Sequence, residues 1–246
     1  MKTIPLWSND DRVLEIHAPA APARQAVVVC PGGGYQGRAP HEAGVIGAFL
    51  AAHGILAAVV PYRVRPHRHP APLADACRAM RLMRHHFPGL PVGIMGFSAG
   101  GHLAATVATQ PDLYHDPHDE FVGQHSARPD RVILAYPVIS FVAYAHQGSM
   151  DNLLGANATL AQRRQLSAEL HVTPATPPAF LFHTADDGGV PVENSLMFAA
   201  ACARAQVPFA LHIFPHGRHG LGLALDDPVL RQWPELLVNW LNSDVR

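Results

Sequence analysis

The sequence predicts an α/β protein, a mostly parallel, doubly wound sheet flanked by helices with short insertions at one end. Three observations carry this. Apolar, β-branched runs of strand length recur along the chain, helix-forming stretches separate most of them, and Pro and Gly cluster at the joins. Parallel neighbours need a crossover long enough to return the chain to the same end of the sheet, which the intervening helices supply.

The runs at 13–16, 26–30, 55–60, 92–95, 132–136, 179–183 and 209–214 read as buried strands. Helical patterns fall at 41–53, 73–87, 101–109, 193–205 and 228–241. No helix separates the first two runs, so the strand at 13–16 is expected to be antiparallel. Pro31 to Gly34, Pro61, Pro137 and Pro215 with Gly217 mark the ends of strands. Two stretches interrupt the alternation, 110–128 and 140–176, and the second contains a helical pattern at 159–169. Insertions at these points overhang the carboxyl end of the sheet, so 140–176 is expected to form a small lid-like element.

With 246 residues and 48% hydrophobic content, the chain can bury one sizeable core, and a single domain over 1–246 is expected. Eighteen Lys and Arg against 19 Asp and Glu leave a net charge of −1, which provides no basic field for nucleic acid or an anionic membrane. Cys30, Cys77 and Cys202 sit in separate apolar segments without close spacing. They read as buried thiols in a reducing compartment, not as a disulfide framework. The first eleven residues turn polar too soon for a signal-peptide core, and no later apolar run reaches membrane-spanning length. These features point to a cytoplasmic protein. A homodimer is the expectation for assembly.

Gly96-Phe97-Ser98-Ala99-Gly100 lies between the strand at 92–95 and the helix at 101–109. A turn this tight exposes the central serine and brings two backbones together, which the flanking glycines permit. Ser98 is thus a candidate nucleophile. Serine needs a base to take its proton and a third group to orient that base. The loop Thr184-Ala185-Asp186-Asp187 after one strand offers the carboxylate, and Pro215-His216-Gly217-Arg218-His219 after the last offers the imidazole. The spacing from Asp187 to Val190-Pro191 resembles the Asp-x-x-Val-Pro pattern of many serine hydrolases, and that resemblance prefers Asp187, with Asp186 the alternative. His219 is preferred over His216 because Gly220 and Gly222 let its loop bend inward. His183, at a strand end, is expected to support the site, and His102 to pack or cap. Gly32-Gly33-Gly34 follows the strand at 26–30 and can present amide donors to an oxyanion. Gly33, Gly34 and Ala99 are the candidate donors. No Lys-Ser or Lys-Thr follows the triplet, and no G-x-G-x-x-G pattern fits, which argues against nucleotide binding. His115, Asp116, His118 and Asp119 lack zinc-site spacing and read as a solvated loop. No metal or organic cofactor is expected.

Taken together, Pro31-Gly32-Gly33-Gly34-Tyr35, the run from Gly96 to Ala104, Pro177-Pro178-Ala179-Phe180-Leu181 leading to Asp187, and His219-Gly220-Leu221-Gly222 resemble the α/β-hydrolase branch of acetyl xylan and feruloyl esterases. The resemblance covers nearly the whole chain. It implies the α/β-hydrolase fold, a Ser98-His219-Asp187 triad, an oxyanion hole from the glycine triplet, and hydrolysis of short acyl esters. Acylated sugars and xylo-oligosaccharides are the expected substrates. A feruloyl esterase and a prolyl-peptidase-like hydrolase are the alternatives, and a noncatalytic hydrolase-fold receptor a more distant one. The chain departs from the family pattern in two ways. Its start lacks an export signal, which points away from an extracellular polymer, and Pro31 stands where the common esterase motif has His. Tyr35, Tyr136 and His146 are candidate pocket residues, by their positions near these loops.

Overall fold

The computed structural model describes residues 2–8 and 10–243; Met1, Asn9 and residues 244–246, part of the expected domain 1–246, lie outside the described residues. Among the described residues, one eight-stranded sheet runs in the order β1-β2-β4-β3-β5-β6-β7-β8. β1 (Lys2–Pro5) and β2 (Val13–His17) form an antiparallel hairpin, and β2 also runs antiparallel to β4 (Leu56–Val59). β3 (Ala26–Cys30), β5 (Val92–Phe97), β6 (Val132–Ala135), β7 (Ala179–Thr184) and β8 (Phe209–Phe214) are parallel to β4 and to one another. The antiparallel strand at 13–16 and the parallel remainder follow the sequence expectation. β1 does not: it has four residues, of which Ile4 alone points inward, too weak a pattern to read as a strand.

The helices are α1 (Gly44–Ala52), α2 (Ala71–His86), α3 (Ala99–Thr109), α4 (Gln147–Leu154), α5 (Leu160–Gln165), α6 (Glu193–Arg204) and α7 (Gln232–Leu241). The pattern at 41–53 divides into a 3-10 turn, Pro40–Glu42, and α1. The pattern at 159–169 begins with a reciprocal Thr159/Gln162 capping box, ends at Gln165, and resumes as a 3-10 turn at Ala168–Leu170. The helix expected from 228 starts only at Gln232.

Alternating strand residues divide the core in two. Val28, Cys30 and Ile94 pack with Leu73, Leu103 and Phe198, which places α2, α3 and α6 on one face. Val27, Val29, Met95 and Phe97 pack with Ile46, Leu50, Trp233 and Leu237, which places α1 and α7 on the other. Met150, Leu153 and Leu166 anchor the 140–176 segment in the first core. Neighbouring strands β3 and β5, paired through Cys30 and Gly96, are therefore followed by helices on opposite faces. The loops at their carboxyl ends diverge and leave a crevice, which is where doubly wound sheets bind ligands. The glycine triplet and Ser98 both lie at that crevice.

Candidate active site

Ser98 caps the join of β5 and α3 with φ 52° and ψ −119°, a left-handed conformation costly for a side-chain-bearing residue. The surrounding backbone holds it there: Ser98 N–H donates to Ala135 O at 3.0 Å, and Ser98 O accepts from His102 and Val138 at 3.1 and 3.0 Å. The flanking glycines are required by close approach. A Cβ on Gly96 would strike the Gly100 carbonyl, and one on Gly100 the Cys30 and Pro31 carbonyls. The serine is 7% exposed.

Loops after β7 and β8 bring the other groups to this point. His219 Nε2 lies 2.7 Å from Ser98 Oγ, and His219 Nδ1 lies 2.8 Å from Asp187 Oδ2. Asp187 cannot swing, because its Oδ1 accepts N–H bonds from Gly189 and Val190 at 2.8 and 2.9 Å. Those bonds explain the Asp-x-x-Val-Pro spacing: the carboxylate folds back onto the amides of its own turn. Burial raises the Asp187 pKa, but hydrogen bonds from His183, His219 and Val190 outweigh it and hold the carboxyl well below its ordinary range. It stays ionised, as a group facing an imidazole N–H must. His219 then carries its proton on Nδ1 and presents a bare Nε2 to the serine hydroxyl.

Asp186 and His216 form a separate, exposed pair, with His216 Nδ1 2.9 Å from Asp186 Oδ2. The structure thus brings Asp187 and His219 to Ser98 and leaves the alternatives outside. Buried His183 sits behind Asp187. Its Nε2 is 3.0 Å from Val190 O and 3.4 Å from Asp187 Oδ2, and its Nδ1 faces Ser195 Oγ at 2.8 Å. Two acceptors at Nε2 place the proton there, so Nδ1 accepts from the serine.

On the opposite wall, Gly33 and Gly34 follow β3 with φ 124° and 63°. Among the described residues, the N–H groups of Gly33, Gly34 and Ala99 donate to no protein acceptor. Gly32 differs: its N–H donates to buried Glu42 at 2.8 Å. Asn152 of α4 donates to Gly34 O at 2.9 Å and braces the loop from outside.

Two pocket candidates are corrected. Tyr35 and Tyr136 are each 1% exposed, and their backbones have φ of 57° and 36°. The Tyr35 hydroxyl bonds His102 Nδ1 at 2.8 Å, and the Tyr136 hydroxyl bonds Glu42 at 2.8 Å. His102 in turn bonds Leu166 O through Nε2 at 2.7 Å and stacks on Phe141, so it packs as expected. His146 stays near the site. It caps α4, where its ring accepts the Ser149 N–H at 3.2 Å; burial, then the neighbouring His219, lowers its pKa.

The residues of the rejected zinc reading are committed elsewhere. Asp119 bridges Arg78 and Arg81 at 2.9 and 2.8 Å, and His115 pairs with Asp112 at 3.3 Å. Among the described residues no cluster of three or more His, Cys, Asp or Glu is placed to hold a metal ion. No helix among them is long and apolar enough to cross a membrane. Glu42 is the site residue that sequence reasoning missed; its signal was a lone acid in an apolar stretch just after the glycine triplet.

The comparisons with known proteins agree with this architecture. The acetyl ester-xyloside bifunctional hydrolase from Caldicellulosiruptor lactoaceticus, a solved structure, is 44% identical with a TM-score of 0.91, covering 98% of this chain and 95% of that one. Endo-1,4-beta-xylanase B of Butyrivibrio fibrisolvens is 39% identical over 213 residues, which are 83% of this chain and 33% of that protein. The acetylxylan esterase of Xylanibacter ruminicola is 33% identical over 236 residues, 92% of this chain and 47% of that protein. The chain therefore spans from about a third to about a half of the length of these two curated relatives. The BD-FAE family profile matches residues 14–202, most of the chain and the sheet from Leu14 of β2 through β7. The chain belongs to the BD-FAE family, in the acetyl xylan esterase-like branch of the α/β hydrolases.

Proposed function

We propose that the chain is a serine carboxylic-ester hydrolase that removes short, acetyl-type acyl groups, with acylated sugars or xylo-oligosaccharides as substrates. The observation that carries this is the continuous line Ser98 Oγ, His219 Nε2, His219 Nδ1, Asp187 Oδ2, at 2.7 and 2.8 Å, beside unpaired amide donors. Ser98 Oγ attacks the ester carbonyl carbon while its proton passes to His219 Nε2, and Asp187 stabilises the imidazolium. The carbonyl oxygen gains negative charge and is received by the amides of Gly33, Gly34 and Ala99. Collapse breaks the bond to the alcohol, which leaves with the proton from His219. Water then attacks the acyl-serine, His219 takes its proton, and the acid and free serine are released.

The start of α4 stands against the glycine loop, with Ser149 Oγ 3.9 Å from where a Gly34 Cβ would lie. His146, at the same helix end, lines this side in our reading, and the 140–176 segment is the lid-like part of one domain. The names of the relatives supply the carbohydrate side. Buried, unpaired Cys30, Cys77 and Cys202 fit a reducing, cytoplasmic setting.

Initial rates on acetyl, butyryl, octanoyl and feruloyl esters and on acetylated xylo-oligosaccharide test the reading, with Ser98→Ala as control. Acetyl substrates should be cleaved fastest, and the alanine variant should lose about 10⁴-fold or more in kcat. Octanoyl or feruloyl preference would overturn the substrate class; unchanged turnover in Ser98→Ala would overturn the mechanism.

A further inference from the structure

Glu42 is 2% exposed and lies where three loops of the site meet. Its Oε2 accepts the Gly32 N–H at 2.8 Å, directly before the amides assigned to the oxyanion. Its Oε1 accepts the Tyr136 hydroxyl at 2.8 Å. The same phenol oxygen accepts the Gly222 N–H at 2.8 Å, in the loop that carries His219. Chemistry sets the direction of these bonds. An amide can only donate, so the phenol proton must point at Glu42, and both carboxylate oxygens act as acceptors. Burial, reinforced by the Glu42 charge, pushes the Tyr136 phenol well above its ordinary pKa, so it remains a donor.

The Tyr136 ring meets the His219 ring edge-on, with centroids 5.2 Å apart. Beside Glu42, His41 Nε2 donates to Gly220 O at 3.0 Å. One 3-10 turn, Pro40–Glu42, therefore grips the glycine loop at Gly32 and the histidine loop at Gly220 and Gly222. A buried carboxylate is costly to desolvate and is retained only with good partners. Here its partners are the two loops whose separation defines where a tetrahedral intermediate fits.

We propose that Glu42 is a positioning residue that, through Gly32 N–H and the Tyr136 hydroxyl, sets the oxyanion loop in register with the His219 loop. It touches no substrate. The proposal rests on the esterase reading above. Glu42→Gln keeps the volume but leaves one acceptor oxygen for two donors: with that oxygen on Gly32 N–H, the amide N–H₂ faces the Tyr136 oxygen and the phenol proton loses its acceptor. Tyr136→Phe keeps the ring against His219 and removes the hydroxyl that joins Glu42 to Gly222, so both of its bonds are lost together.

Both variants and their double are compared with the parent after titration of active sites with a fluorophosphonate, so that unfolded protein is not counted. For Glu42→Gln, kcat per site should fall at least about tenfold, against the 10²-fold or more typical of losing an oxyanion donor outright. KM should stay within about threefold, and affinity for a boronic acid that mimics the tetrahedral state should fall by the same factor as kcat/KM. Tyr136→Phe should lose several-fold in kcat, and the double variant should be no worse than about the weaker single, because both act in one chain of bonds. A per-site kcat for Glu42→Gln within about twofold of the parent would overturn the proposal, as would multiplying losses in the double variant or an unchanged boronate affinity. If Glu42→Gln does not fold, an unchanged kcat in Tyr136→Phe overturns it. An inactive parent, or an active Ser98→Ala, sinks the esterase reading instead.

Discussion

Gly189 and its neighbour Gly188 offer a paired test of how tightly the histidine is held. A Cβ on Gly189 would lie 2.8 Å from both Cβ and Cγ of His219 and 3.1 Å from Cδ2, whereas one on Gly188 would have nothing within 4 Å. Carbon atoms sit comfortably about 3.5–4.0 Å apart, so Gly189→Ala must open the gap by about 0.7–1.2 Å. The ring is braced by Tyr136 on one side and by Asp187 at 2.8 Å on another, so the displacement reaches the 2.7 Å bond to Ser98. A misplacement of about 1 Å in a reacting pair costs about 10²-fold in rate. The assay is kcat/KM on an acetyl ester, corrected for titrated active sites, with denaturation curves for both variants. Gly189→Ala should lose about 10²-fold in kcat/KM, and Gly188→Ala should stay within about threefold. Equal activities in the two variants would refute the claim that His219 is held by this packing.

Three further outcomes are expected. Asp187→Asn should lower kcat by about 10⁴-fold, because an amide no longer fixes the histidine tautomer, while exposed Asp186→Asn should stay within about threefold; comparable losses would refute the assignment between them. Burial lowers His102 to a pKa of about 4 against an ordinary 6.5, with the Leu166 carbonyl partly opposing. Between those values the unfolded chain binds the extra proton and the folded one does not, so this residue's stabilising contribution, complete above about pH 6.5, is lost as pH falls. Integrated from pH 8 to pH 5 it is about 2 kcal/mol, so urea melts of the parent should show that much more acid sensitivity than His102→Gln, and parallel curves would contradict it. Removing one Asp119 charge leaves Arg78 and Arg81 buried without their shared partner, at about 3 kcal/mol. Asp119→Asn should therefore lower Tm by several degrees while kcat per titrated site holds, and an unmoved Tm would count against the network.

The sheet was legible because β3 to β7 are fully buried apolar runs of strand length, and because glycines on either side of Ser98 permit the close backbone contact of the turn. For Asp187 and Asp186 the sequence offered a preference from spacing and left both open; the fold adds that the Val190 amide closes a turn onto Asp187 and that His219 faces Asp187. Other features were not legible. α4 begins with a histidine ring accepting a backbone amide, a cap outside the usual Ser, Thr, Asp and Asn signals, so nothing marked its start. Tyr35 and Tyr136 stand next to the site in sequence, but their hydroxyls bond to buried His102 and Glu42, partners far away in the chain that no composition rule reports. Glu42 depends on a partner 94 residues away in the chain, so only the folded sheet shows why an acid is there.

The most direct measurement is peptide mapping of protein quenched during turnover of an acetyl ester. One acetyl group on the peptide that contains Ser98 is expected, appearing within the burst and lost as hydrolysis completes. Acetylation of a different residue on the catalytic timescale, or steady turnover with Ser98 never modified, would contradict the triad and the acyl-enzyme together.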